Sequence, residues 1–288
     1  MPYRFLRFPG GKCKAVTLSY DDGAHQDMKL MEILNRYGLK CTFNLNSERL
    51  EKGRGISWDQ AREMIASGHE IAVHGAEHLA EGLLSPLDGI RDVLHCREAL
   101  EKNLGQIIRG MAYPDSGITC FGNTAEYENI RRYLRDLGIA YSRTLKGDND
   151  RFELPADWHA WMPTCHHANP KLAEYMESFL NIDLETQYVS RRYSRLFYIW
   201  GHSFEFDRQD NWDVLDRIGE TLGGREDIWY ATNIEICDYV NAWHSLRRSA
   251  DGKIVYNPTV TDIWFAEVSA AMEMKEYCIR AGETLHIG

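Results

Sequence analysis

The stretch Val16-Thr17-Leu18-Ser19-Tyr20-Asp21-Asp22-Gly23 decides the fold: an apolar run stops on two adjacent carboxylates and a glycine. Such a run forms a buried strand, and a glycine lets the chain turn out of it. Residues 27–37 follow, with Met28, Leu30, Met31, Ile33 and Leu34 at helical spacing and Gly38 as the stop. The first unit therefore reads strand, polar turn, helix.

That unit recurs. Further strand-like runs lie at 40–45, 69–74, 106–113, 139–144, 196–200 and 228–231. Helical periodicities fall at 58–66 (N-cap Ser57, stop Gly68), 87–103, 124–137, 170–180 (N-cap Asn169, Pro170 in the first position) and 233–245. Strand then helix, repeated, means a parallel sheet, and about seven such units predict closure into a barrel. The fold class is α/β, a distorted (β/α)7-type barrel over residues 1–248. From residue 249 the pattern changes to short strands and turns, such as Ile254-Val255-Tyr256-Asn257-Pro258 and Ile263-Trp264-Phe265. Residues 249–288 are expected to form a small β-rich appendage packed on the barrel.

With 288 residues and 44% hydrophobic composition the chain can bury a full core, and one principal domain is expected. A net charge of −10, spread along the chain, disfavours a nucleic-acid partner, which needs a basic face. Seven scattered cysteines without a Cys-x-x-Cys pair signal neither a thiolate cluster nor a disulfide framework. No apolar run is long enough for a membrane span, and residues 1–8 lack the apolar core of a signal peptide. A cytoplasmic protein without a membrane partner is expected; self-association stays open.

The polar residues that matter sit at the ends of the strand-like runs. Asp21 and Asp22, His74, Tyr113 and Asp115, Arg143, and His202 each fall at or just past a C-terminal strand end, the edge where parallel barrels carry their active sites. His74-Gly75-Ala76-Glu77-His78 offers two imidazoles four residues apart, a spacing that puts both on one face of a helical turn. One Asp with two His is the ligand set of an open divalent metal site. The second carboxylate is then free for proton transfer. On its own, Asp-Asp-Gly reads sooner as a solvated strand-to-helix turn than as a site; the histidine pair reverses the reading.

Together these motifs resemble the polysaccharide deacetylase family, also called NodB-like or carbohydrate esterase family 4. Ser19-Tyr20-Asp21-Asp22-Gly23 is similar to its Thr-Phe-Asp-Asp-Gly, and Gly68-His69-Glu70-Ile71 with His74-x-x-x-His78 to its Gly-His-Glu-Ile and His-x-x-x-His. The resemblance implies a barrel with metal-dependent removal of acyl groups from sugars. It implies Asp21 as general base, Asp22, His74 and His78 as metal ligands, and His202, at the end of 196–200, as the acid that protonates the leaving group. Zinc comes first as the metal, with cobalt, nickel, manganese or iron compatible.

The third motif departs from the commonest pattern. Met111-Ala112-Tyr113-Pro114-Asp115 resembles the Phe-Ala-Tyr-Pro subset, and Ala112 lacks the guanidinium that orients the base in many relatives. Arg143, one strand on, is the expected replacement. Tyr113, Asp115, Trp200 and His166 are expected to contact substrate. Of the adjacent His166 and His167, at most one is expected to face the mouth, since neighbours on an extended chain point apart. Asp157-Trp158 matches an Asp-Trp pair of the family only superficially. The implied partner is a carbohydrate or a small acylated molecule. Two other readings stay open: an allantoinase-like small-amide hydrolase, and a silent carbohydrate-binding relative.

Overall fold

The structure is a computed structural model describing residues 2–145 and 147–287; Met1, Lys146 and Gly288 lie outside them. The Lys14–Asp21 strand is its axis. All eight of its residues are buried, which is why its sequence runs apolar instead of alternating. Arg195–Gly201 pairs along one edge, from Lys14 opposite Arg195 to Tyr20 opposite Gly201. The other edge is shared, with Ile228–Tyr230 beside Lys14 to Val16 and Cys41–Leu45 beside Leu18 to Asp21.

From Cys41–Leu45 the parallel sheet continues through Glu70–Val73 and Gly110–Ala112 to Tyr141–Arg143, and beyond Arg195–Gly201 it ends at Cys165–His166. The segment leading into Cys165–His166 links the far end strand to Arg195–Gly201: Trp161 pairs with Arg143, while the Thr164 N–H donates to the Tyr198 carbonyl at 2.8 Å. The result is a curled half-barrel of the expected class. Cys165–His166 was not expected from the sequence, because two residues are too few to show a periodicity.

Helices Asp27–Arg36, Trp58–Ala66, Pro86–Leu104, Tyr127–Asp136 and Asn233–His244 form where the spacing predicts them. Ser57 and Gln60 close a reciprocal capping box on the second. The helix expected from Pro170 begins at Leu172, since the Asn169 carboxamide oxygen takes the Lys171 N–H at 2.8 Å and holds the chain in a turn first. Ser47–Glu51, Phe204–Gln209 and Asp213–Leu222 are additional.

Residues 254–256 and 284–286 pair in a small sheet with Arg247–Arg248. Ile263–Val268 pairs with Met274–Ile279 and, on its other edge, with the N-terminal strand Tyr3–Arg7. A second apolar core, with Phe8, Leu196, Ile236, Val255, Ile263 and Phe265, joins these sheets to the barrel. The cysteines are all unpaired, and no described helix is long and apolar enough to cross a membrane.

Candidate metal centre and active site

The central strand ends by splitting two neighbouring carboxylates. Asp22 has a left-handed backbone (φ 80°), a conformation that an Asp tolerates better than most residues, so its side chain leaves in a different direction from that of Asp21. Asp22 turns to the histidines: its Oδ1 lies 3.5 Å from His74 Nε2 and 3.3 Å from His78 Nε2. Asp21 turns inward, where Asn44 Nδ2 donates to its Oδ1 at 2.8 Å and Arg143 Nη2 donates to its Oδ2.

The His74–His78 pair is not built on a helical turn, as the spacing suggested. The chain makes a tight irregular loop with Gly75 (φ 71°) and His78 (φ 61°) both left-handed. Asp92 fixes that loop by accepting the Ala76 and Glu77 N–H groups at 3.1 and 3.0 Å. A Cβ on Gly75 would come within 2.5 Å of the same carboxylate, so only glycine fits there. His74 is buried, and its Nδ1–H donates to the Ala112 carbonyl at 2.9 Å, which selects the tautomer whose Nε2 lone pair faces Asp22.

The donor set fits a divalent cation. One ligand atom from each of Asp22, His74 and His78 lies within 4.8 Å of the others, and Asp22 Oδ1 is buried without a hydrogen-bond partner. Burial alone would raise the Asp22 carboxyl, but the imidazoles of His74, His202 and His78 hold it well below the usual carboxylate range. Burial lowers His78, leaving it neutral with a lone pair to offer.

Arg143 reaches the mouth as expected. It is fully buried, its guanidinium on Asp21 and stacked 4.5 Å from the centre of the Trp200 ring. His202 faces the site from the end of Arg195–Gly201. Burial pulls its pKa down, yet Glu205, Asp21 and Asp22 together raise it above the ordinary histidine value. Glu205 is the residue that sequence reasoning missed. It lies on Phe204–Gln209, with its Oε1 3.5 Å from His202 Nδ1 and its Oε2 accepting the His202 N–H at 3.2 Å. The i, i+3 spacing from His202 was a signal in the sequence.

The adjacent histidines do not point apart. His166 Nε2 and His167 Nε2 lie 3.1 and 3.3 Å from the same Glu205 Oε2, because the strand ends at His166 and the chain turns at once. Since His166 Nδ1 accepts the Ala168 N–H at 3.1 Å, a neutral His166 carries its proton on Nε2 and donates it to Glu205. Tyr113 does not bring its side chain to the mouth: it is fully buried, and its hydroxyl donates to the His159 carbonyl at 2.8 Å. The large ring is consumed by core packing. Asp115 is exposed, with φ 47°, and its charge is felt by His78. Asp157 accepts from Tyr127 and from the His159 N–H, away from the mouth, and Trp158 packs on Trp161. His69 is structural, bonded to Cys41 N–H and Asn35.

Residues 9–142 match the family model described as polysaccharide deacetylase. Among solved structures, a Mycobacterium smegmatis protein described as a candidate polysaccharide deacetylase is 17% identical with a TM-score of 0.59, covering 86% of this chain and 97% of that one. An activity-restored mutant of a Bacillus anthracis carbohydrate esterase family 4 pseudoenzyme is 14% identical with a TM-score of 0.50, over 81% of this chain and 70% of that one. A Streptococcus pyogenes deacetylase in complex with acetate is 20% identical with a TM-score of 0.41, and the match spans only 45% of this chain and 55% of that one. No curated protein matches the chain. At such identities the structures speak for the fold, while the family model speaks for the sequence. The resemblance read from the motifs therefore holds, and residues 9–142 carry a polysaccharide deacetylase domain of the NodB-like, carbohydrate esterase family 4 kind.

Proposed function

We propose that this chain is a metal-dependent hydrolase that removes acetyl groups from N-acetylated sugars, or from O-acetylated ones, with Asp21 as base and His202 as acid. The observation that carries the reading is the division of labour within Asp21-Asp22: one carboxylate faces two imidazoles, its neighbour an arginine and an asparagine. A solvated turn would not bury Asp21, half-bury Asp22 and supply each with its own partners.

Asp22, His74 and His78 would hold the cation, zinc first. Such an ion lowers the pKa of water and polarises an acyl carbonyl. Arg143 sits against Asp21 and, with Asn44, fixes the direction in which its carboxylate faces. With one lone pair of each oxygen engaged, the carboxylate retains others to accept a proton from water. His202 has Nδ1 turned to Glu205, so Nε2 is the atom that carries a proton towards the departing amine. Glu205, itself anchored by His166, orients that ring and favours its charged form. Trp200 offers an aromatic wall suited to a sugar face.

Acetate release from N-acetylglucosamine oligomers, measured before and after chelation and metal return, tests the reading. About one divalent ion per chain and metal-dependent release are expected. Hydrolysis of small ureides in place of the sugars would favour the allantoinase-like alternative. Sugar binding without turnover by the metal-loaded protein would place the chain with the silent relatives.

A further inference from the structure

Beside the metal ligands lies an open pocket of about 540 Å³, lined by Asp22 and His78 together with Arg49, Lys52 and Arg54. Three cations beside one site stand out in a chain of net charge −10. We infer that this pocket binds an anionic group, a carboxylate or a phosphate, carried by the acylated sugar itself. The inference rests on the reading of the Asp22 site given above and names the substrate class for it.

The cations are held there by the backbone. Helix Ser47–Glu51 is tied to the histidine loop: Glu48 N–H donates to the Ala76 carbonyl at 3.3 Å, and the Asn46 carboxamide donates to the carbonyls of His74 and Gly75. The segment after it is tied to the carboxylate turn, with Ile56 N–H on the Gly23 carbonyl at 3.0 Å. Gly55 packs so closely that an added Cβ would lie 2.1 Å from the Gly23 oxygen. One short helix and its exit thus bridge both halves of the metal site and carry the arginines with them.

The charges are not cancelled internally. Lys52 pairs with Glu48; of the two other lining acids, Asp22 is turned to His74 and His78, and Glu77 makes no ion pair among the described residues. Arg49 and Arg54 make no ion pair among the described residues, and Arg49 Nε is buried without a hydrogen-bond partner. Asp27, the buried acid that feels the Arg49 charge, is pushed up to about 8 by burial, so it does not neutralise the guanidinium at pH 7. An unpaired guanidinium fork beside a cation site matches the planar oxygens of carboxylate or phosphate.

The test compares N-acetylglucosamine, N-acetylmuramic acid and N-acetylglucosamine 6-phosphate by calorimetry on the zinc-loaded protein, with acetate release followed in parallel. At least one charged sugar should bind ten-fold or more tighter than the neutral one, with the gap shrinking as salt rises. Which of the two does so identifies the group. In Arg49→Gln/Arg54→Gln the gap should close to within about two-fold while metal content stays at one per chain. Equal affinity for all three sugars, or a preference that survives the double substitution and so belongs to the metal, overturns the inference. Charge-dependent binding without acetate release would sustain the pocket and sink the deacetylase reading; acetate release with equal affinities would do the reverse.

Discussion

Two polar clusters are buried in the same sheet, and they are finished to different degrees. Around the start of Glu70–Val73, Glu70 accepts from Tyr141 at 2.8 Å, from Thr42 at 2.7 Å and from the Ile234 N–H at 2.9 Å. Thr17 donates to Asn233, whose own N–H donates to Thr42, and Tyr198 donates to Ser19. At the mouth, by contrast, Asp22 Oδ1, Arg143 Nε and Nη1, His202 Nδ1 and both nitrogens of His167 are buried without a hydrogen-bond partner. A folded chain satisfies nearly all its buried polar atoms, so the first cluster is scaffold and the second is built for something else. The left-handed Asp22 and His78 fall in the second cluster as well, where backbone strain is tolerated for function.

Removing one mouth residue should therefore cost activity, and removing one scaffold residue stability. The largest effect is expected from Asp22→Asn, which takes the charge from the ligand set. Metal content should fall from about one per chain to near zero and acetate release by about a thousandfold or more, with the thermal midpoint of the metal-free protein little changed. Metal retained at full stoichiometry would move the ligand role away from Asp22. Next comes Asp21→Asn, expected to keep the metal and lose about 10²- to 10⁴-fold in turnover, the usual range for a general base. A fully active variant would remove Asp21 from the chemistry.

The scaffold was largely legible in the sequence and the mouth only in part. Strands such as 14–21 and helices such as 58–66 announce themselves through periodicity and caps, which are local. Asp213–Leu222 announced itself too, through Val214, Leu215, Ile218 and Leu222, although no helix was expected between Trp200 and Ile228. What the sequence withheld is non-local. Tyr3–Arg7 finds its partner some 260 residues on, at Ile263–Val268, and nothing in a five-residue strand names its neighbour. At the mouth, the ligands and Arg143 follow from strand ends, but the loop that joins His74 to His78 depends on Asp92 from a later helix. The convergence of His166 and His167 on Glu205 depends likewise on where a two-residue strand stops.

A subtler break of the mouth is Glu205→Gln. It removes the charge that helps hold His202 above its ordinary value while preserving size. Turnover should fall about ten-fold. Because an acid must be protonated to act, lowering its pKa should also move the alkaline limb of the pH–rate profile to lower pH. A uniform loss with the limb unmoved would leave Glu205 with a packing role only.

The smallest effect on activity and a distinct one on stability are expected from Glu70→Gln. Burial pushes the Glu70 carboxyl up to about 7, against the opposing bonds from Ile234, Thr42 and Tyr141. Below about pH 4.5 folded and unfolded chains both hold this proton, and the group adds no pH dependence. From there to about pH 7 the folded chain keeps a proton that the unfolded chain has released, so this group lowers stability as pH rises. Above that range the penalty is constant. Glutamine is neutral throughout, its oxygen can still accept from Thr42 and Ile234, and its amide can donate to the Tyr141 hydroxyl. The variant's urea midpoint should therefore gain on the parent's between pH 5 and pH 8, with kcat unchanged. A difference between the two that stays flat with pH would mean that Glu70 is ionised in the folded chain, and that the scaffold cluster is as charged as the mouth it was contrasted with.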